Sequence, residues 1–104
     1  MKRLPFLSML SMLFASSMLL QMPADARERT FRNPTVGGYH LDYCREWAAN
    51  CGWPAAHAYC RARGYRSAID FDWEEDNQVT RVINGGQVCD DEFCDRITWV
   101  TCRD

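Results

Sequence analysis

Six cysteines, Cys44, Cys51, Cys60, Cys89, Cys94 and Cys102, lie in a stretch that holds one leucine, Leu41, and this combination restricts what the chain can fold into. From residue 27 to residue 104, Leu, Ile, Val and Phe together number twelve in 78 residues. That is roughly 15%, a level at which aliphatic burial alone does not hold a domain together. Disulfides compensate by constraining the unfolded chain, at about 2–4 kcal/mol each. The four tryptophans, Trp47, Trp53, Trp73 and Trp99, are expected to supply further buried area. A stretch of this length excludes a barrel or a dinucleotide-binding unit with a substrate domain, so one small domain is the limit.

The first 26 residues are of another kind. All five methionines and six of the seven leucines fall there. Met1-Lys2-Arg3 gives a short positive region, Phe6 to Leu20 is apolar apart from serines, and Ala24-Asp25-Ala26 has the small-x-small form of a cleavage site. The apolar stretch, near 15 residues, is shorter than the roughly 20 needed to span a bilayer. Residues 1–26 are therefore read as a signal peptide, and no membrane insertion is expected after cleavage. The destination is outside the cytoplasm, secreted or periplasmic.

Export sets the chemistry of the cysteines. An even number of them in an oxidising compartment predicts three disulfides. A zinc site would need thiolates in closely spaced pairs, but the intervals here are 6, 8, 28, 4 and 7 residues, with only His40 and His57 as nitrogen ligands. No metal and no cofactor is expected, and no C-x-x-C redox pair is present. Cys89 and Cys94 can close locally. If residues 42–50 form a helix, Cys44 and Cys51 are about 10 Å apart and must find other partners. If that stretch is irregular, Cys44–Cys51 closes and Cys60–Cys102 ties a helix to a strand. The second set is preferred.

Residues 27–39 are polar, with Pro34 and the Gly37-Gly38 pair, and read as a flexible leader to a domain at 40–104. A clearer helix begins near Pro54, runs through Ala55-Ala56-His57-Ala58-Tyr59-Cys60, and ends before Gly64. The period then changes to two. Ile69, Phe71 and Trp73 alternate with Ala68, Asp70 and Asp72, predicting a strand that buries the first set, with a turn at 74–77. Val79–Ile83, 87–89 and Arg96–Cys102 read as further strands, with Asn84-Gly85-Gly86 as a turn. The expected class is α+β: a small disulfide-rich domain, one or two short helices packed on a small antiparallel sheet.

Residues 27–104 carry ten arginines, thirteen acidic groups and no lysine, a net charge of 10 − 13 = −3. The arginines form no continuous stripe, which disfavours nucleic acid as a partner. The run Asp70 to Asn77 resembles a calcium loop, but Glu75 stands where the EF-hand glycine belongs and Arg81 where its bidentate glutamate belongs. Asp70, Asp72 and Asp76, or Asp90, Asp91, Glu92 and Asp95, offer oxygen ligands whose ordinary role is a solvated surface. His57 is a candidate acid or base, yet Ser67 is the only serine after residue 26 and lies in no nucleophile turn. Trp53, between Gly52 and Pro54, is the tryptophan expected at the surface. The candidate ligand contacts are Trp53, Asp90, Asp91 and Glu92.

The series Cys44-x-x-Trp47, Cys51-Gly52-x-Pro54-Ala55-Ala56, Cys60-x-x-x-Gly64-Tyr65-x-x-Ala68, Thr80-Arg81-Val82-Ile83, Gly86-Gln87-x-Cys89 and Cys102 resembles a set of small secreted cysteine-rich proteins of bacteria and plants. The resemblance covers residues 40–104 and implies a single disulfide module without a particular chemistry. Ala56 to Ala68 is also similar to the helix segment of scavenger-receptor cysteine-rich domains. There the acidic segment precedes the helix, whereas here Cys89-Asp90-Asp91 follows it. The function expected is that of a monomeric binding module, not an enzyme, for an extracellular or envelope glycan or protein. The alternatives are a hydrolase inhibitor presenting the Cys89–Cys94 loop and a small hydrolase using His57 with carboxylates.

Overall fold

A computed structural model describes residues 27–75 and 78–104. The signal-peptide reading of residues 1–26 and the acidic position Asp76 lie outside the described residues. No helix among the described residues is long and apolar enough to cross a membrane.

The principal sheet has three antiparallel strands, with β9 (Asp95–Arg103) between β1 (Glu28–Arg32) and β6 (Ser67–Glu75). The central place of β9 follows from its β-branched and aromatic content, with Ile97, Val100 and Cys102 buried. One helix, α1 (Trp53–Ala62), packs on this sheet through Ala55, Ala56, Tyr59 and Cys60. Two alanines on the buried face let the backbone approach closely enough for Cys60 to bond Cys102 at a Cα separation of 5.4 Å. The helix ends as its composition predicts. Gly64 at φ +90 sits at C′, its N–H donates to Arg61 O at 3.0 Å, and the Tyr65 N–H donates to Cys60 O at 2.9 Å, the paired bonds of a Schellman motif.

A second sheet has the order β2 (Thr35–Val36), β3 (Tyr39–Leu41), β7 (Thr80–Arg81), β8 (Val88–Cys89), with β3 and β7 parallel. A hairpin of β4 (Cys44–Glu46) and β5 (Ala49–Cys51) stands apart from both sheets. The architecture is thus a small disulfide-rich α+β domain. All three preferred disulfides form: Cys44–Cys51, Cys60–Cys102 and Cys89–Cys94.

Residues 42–50 contain no helix, as the preferred disulfide set requires: Cys44 and Cys51 face each other across the hairpin, a pairing that helical rise forbids. Three local expectations are corrected. The flexible leader at 27–39 is integral to the fold. All five residues of β1 pair with β9, and Phe31 meets Tyr59 and Tyr65 edge to face at 5.5 and 5.9 Å. The predicted turn at 74–77 does not include Glu74 and Glu75, which still pair with Arg96 and Asp95. Ile69 is exposed and Ala68 buried, because a register shift between Ala68 and Asp70 inserts one residue into β6 and reverses the facing of its start.

The interior also differs from expectation. Leu41, Ala55, Ala56, Tyr59, Cys60, Ala68, Ile97, Val100 and Cys102 make up the core, and no tryptophan is among them. A core built around one cystine and three alanines leaves no room for an indole. Trp73 instead stacks on Tyr43 at 4.3 Å, and Trp53 packs edge-on against Phe71 at 4.9 Å, both at the rim.

Candidate functional site

The β4–β5 turn places Trp47 and Ala48 at the tip of a loop closed by Cys44–Cys51. A side chain at the tip of so short a ring has no interior to fold into, and Trp47 is 52% exposed. The hairpin is held to the body by its backbone and by one carboxylate. Asn84 N–H donates to Arg45 O at 3.0 Å, while Glu46 accepts from the side chains of Asn84, Asn50 and Arg45. These bonds hold the Glu46 carboxyl down to about 2, the Asn84 amide contributing most.

The Cys89–Cys94 loop presents Phe93 in the same manner, at 79% exposed. Asp91 shapes this loop by accepting the Phe93 N–H at 2.8 Å. Its Oδ1 also lies 3.6 and 3.5 Å from the sulfurs of Cys89 and Cys94. Those three residues have the proximity of a metal site, but sulfurs bonded to one another supply no thiolate and Asp91 alone remains as a ligand.

Trp47 and Phe93 border one cleft of about 200 Å³. Buried Val82 and the two local cystines contribute its apolar surface, and Asp42, Asp91 and Asp95 its polar surface. Asp42 is buried, yet both of its oxygens are engaged by neutral donors. The Cys44 N–H donates to Oδ1 at 2.8 Å, and the Thr80 hydroxyl donates to Oδ2. Asp95 is positioned by β9, and its carbonyl accepts the Tyr43 N–H at 2.9 Å.

Of the residues singled out in the sequence, Asp91 lines the cleft, whereas Asp90 and Glu92 are exposed on the same loop beside it. Trp53 is 47% exposed at the start of α1, outside the cleft lining, and stacks on His57 at 5.5 Å. Sequence reasoning missed Trp47, Phe93 and Asp42. The signal for the first two was present: each is an aromatic inside a cysteine-bounded loop too short to bury it. The burial of Asp42 depends on Thr80, 38 positions away, and left no local trace.

His57 is committed elsewhere. Its Nδ1 accepts the Ala68 N–H at 3.0 Å, and burial, with the nearby Arg61 charge, pushes its pKa below the usual 6.5. Comparison of the chain with protein-family models, with curated proteins and with solved structures finds no match.

Proposed function

We propose that the protein is an exported binding module that engages an extracellular or envelope protein or glycan through the Trp47–Phe93 cleft. Three disulfides belong to an extracellular or otherwise oxidising compartment. Signal-directed secretion or retention in a periplasm is part of the proposal. The observation that carries it is the exposure of two large aromatics, each on its own disulfide-closed loop, on the borders of one cleft. Rigid aromatic anchors around a concave surface are where binding energy concentrates, and pre-ordering by a disulfide lowers the entropic cost of contact.

A second reading is favoured by Phe93 in particular. A short covalent ring that projects an aromatic suits insertion into the active-site groove of a hydrolase, which makes inhibition a specific form of the same binding role. The hydrolase alternative draws no support from His57, whose Nδ1 is already engaged by the backbone.

Capture of partners from envelope fractions and on a glycan array, with the oxidised exported protein, tests the proposal. Phe93→Ala and Trp47→Ala are expected to abolish capture with unchanged thermal unfolding. Retained capture in both variants overturns it, as does turnover of a peptide or glycan substrate that His57→Ala removes without unfolding the domain.

A further inference from the structure

We propose that the cleft receives the guanidinium side chain of an arginine presented by a partner protein, an inference that rests on the binding-module reading above. The cleft lining contains three aspartates and no lysine, arginine or histidine. Among the described residues, neither Asp42 nor Asp91 takes part in the ion pairs Arg27–Asp104, Arg45–Glu46 and Arg96–Glu74. Both donors to Asp42, the Cys44 N–H and the Thr80 hydroxyl, are neutral. Carboxylates set in a concave surface that Val82, Cys44 and Cys89 also line focus a negative potential into the opening.

Size, shape and chemistry then narrow the occupant. A volume of about 200 Å³ is below the roughly 300–1,000 Å³ of pockets for drug-sized ligands, and suits one side chain. Trp47 and Phe93 offer aromatic faces to a cation, an interaction in which arginine predominates. A guanidinium is planar, weakly hydrated and able to stack while donating to carboxylates, which a compact ammonium cannot match. A metal ion finds no thiolate here. A neutral sugar would use the aromatic rings but bring no charge to Asp42 and Asp91.

Titration of the oxidised protein with N-acetyl-arginine amide, followed by backbone amide NMR shifts, is the test. The arginine probe is expected to saturate shifts at Trp47, Ala48, Asp91 and Phe93, and to weaken as salt is raised. N-acetyl-citrulline amide, neutral and of the same shape, is expected to bind about tenfold more weakly. Asp91→Asn retains an acceptor for the Phe93 N–H while removing the charge, and is expected to weaken arginine binding by a similar factor at unchanged thermal unfolding. Equal binding of citrulline, preferential binding of a neutral oligosaccharide, or arginine shifts centred outside the cleft would overturn the inference. If arginine does not bind but Phe93→Ala still abolishes partner capture, the arginine inference fails and the binding-module reading stands. If neither Phe93→Ala nor Trp47→Ala affects capture, both fail.

Discussion

The imidazole Nδ1 of His57 accepts the backbone N–H of Ala68 at 3.0 Å, joining the helix to the strand that follows it. Only the neutral ring can accept there, in agreement with a pKa pushed below 6.5 by burial and by the Arg61 charge. A lowered folded-state value means that the unfolded chain binds the proton first. The stabilisation is therefore complete above about pH 6.5 and is lost as pH falls from there through the lowered value. Urea unfolding from pH 8 to pH 5 is expected to show this decline, with a smaller slope in His57→Gln. His57→Ala leaves the buried Ala68 amide without its acceptor and is expected to cost about 1–3 kcal/mol.

Glu46 gives the opposite end of the pH scale. Its carboxyl, held near 2 by Asn84, Asn50 and Arg45, contributes stability that is present above its ordinary 4.5 and is lost as pH falls through about 2. Because the Asn84 bond ties the β4–β5 hairpin to the 83–86 turn, acid is expected to loosen the hairpin before the core. A Trp47 amide resonance that moves between pH 4.5 and 2 ahead of those in β9, and that is already displaced at neutral pH in Glu46→Gln, is the expected result.

Arg81 lies across two glycine turns at once. Its Nε donates to Gly86 O at 2.8 Å, and a β-carbon on Gly37 would overlap its guanidinium. Gly37 also has φ +56, so Gly37→Ala combines backbone strain with displacement of Arg81. A net loss of about 1–2 kcal/mol is expected after allowing for the stiffer unfolded chain. In an Arg81→Ala background the steric part disappears, and a double-mutant cycle measured by thermal unfolding should show a coupling of about 0.5 kcal/mol or more.

The three disulfides should differ in worth by the length of chain each one closes. Sequence separations of 42, 7 and 5 residues correspond to about 4, 2.4 and 2 kcal/mol in the chain-entropy account. Paired Cys→Ala replacement is expected to rank Cys60–Cys102 far above the others, with an added cavity penalty because both of its sulfurs are in the core. Midpoints of guanidinium unfolding for the three double variants check the order.

How much of this was readable in advance depended on how local each cause is. The helix and its end could be read from Pro54, the alanines and Gly64 because caps and propensity act within a turn. The cystine pattern was readable because ring closure limits which cysteines can meet. Strand β1 was not, since Glu28 to Arg32 has no periodicity of its own and is extended because β9 supplies its hydrogen bonds. The outward turn of Ile69 depends on a bulge that alternation cannot reveal. The cleft was legible only in part: Asp91 stood out in an acidic run, while Trp47 was assigned to the interior and Asp42 became notable only through contact with Thr80.

Trp47 and Phe93 sit in rings that are each closed within a few residues, and neither ring contains the cystine that joins helix to sheet. On the binding reading proposed above, recognition and folding are thus written in separate clauses of the same short text. Changes at positions 47, 48 or 93 alter what the cleft presents, and none of these residues is in the core with Ile97, Val100 and Cys102. A scaffold partitioned in this way can diversify its specificity by single substitutions, and it is a suitable frame onto which other short recognition loops can be grafted.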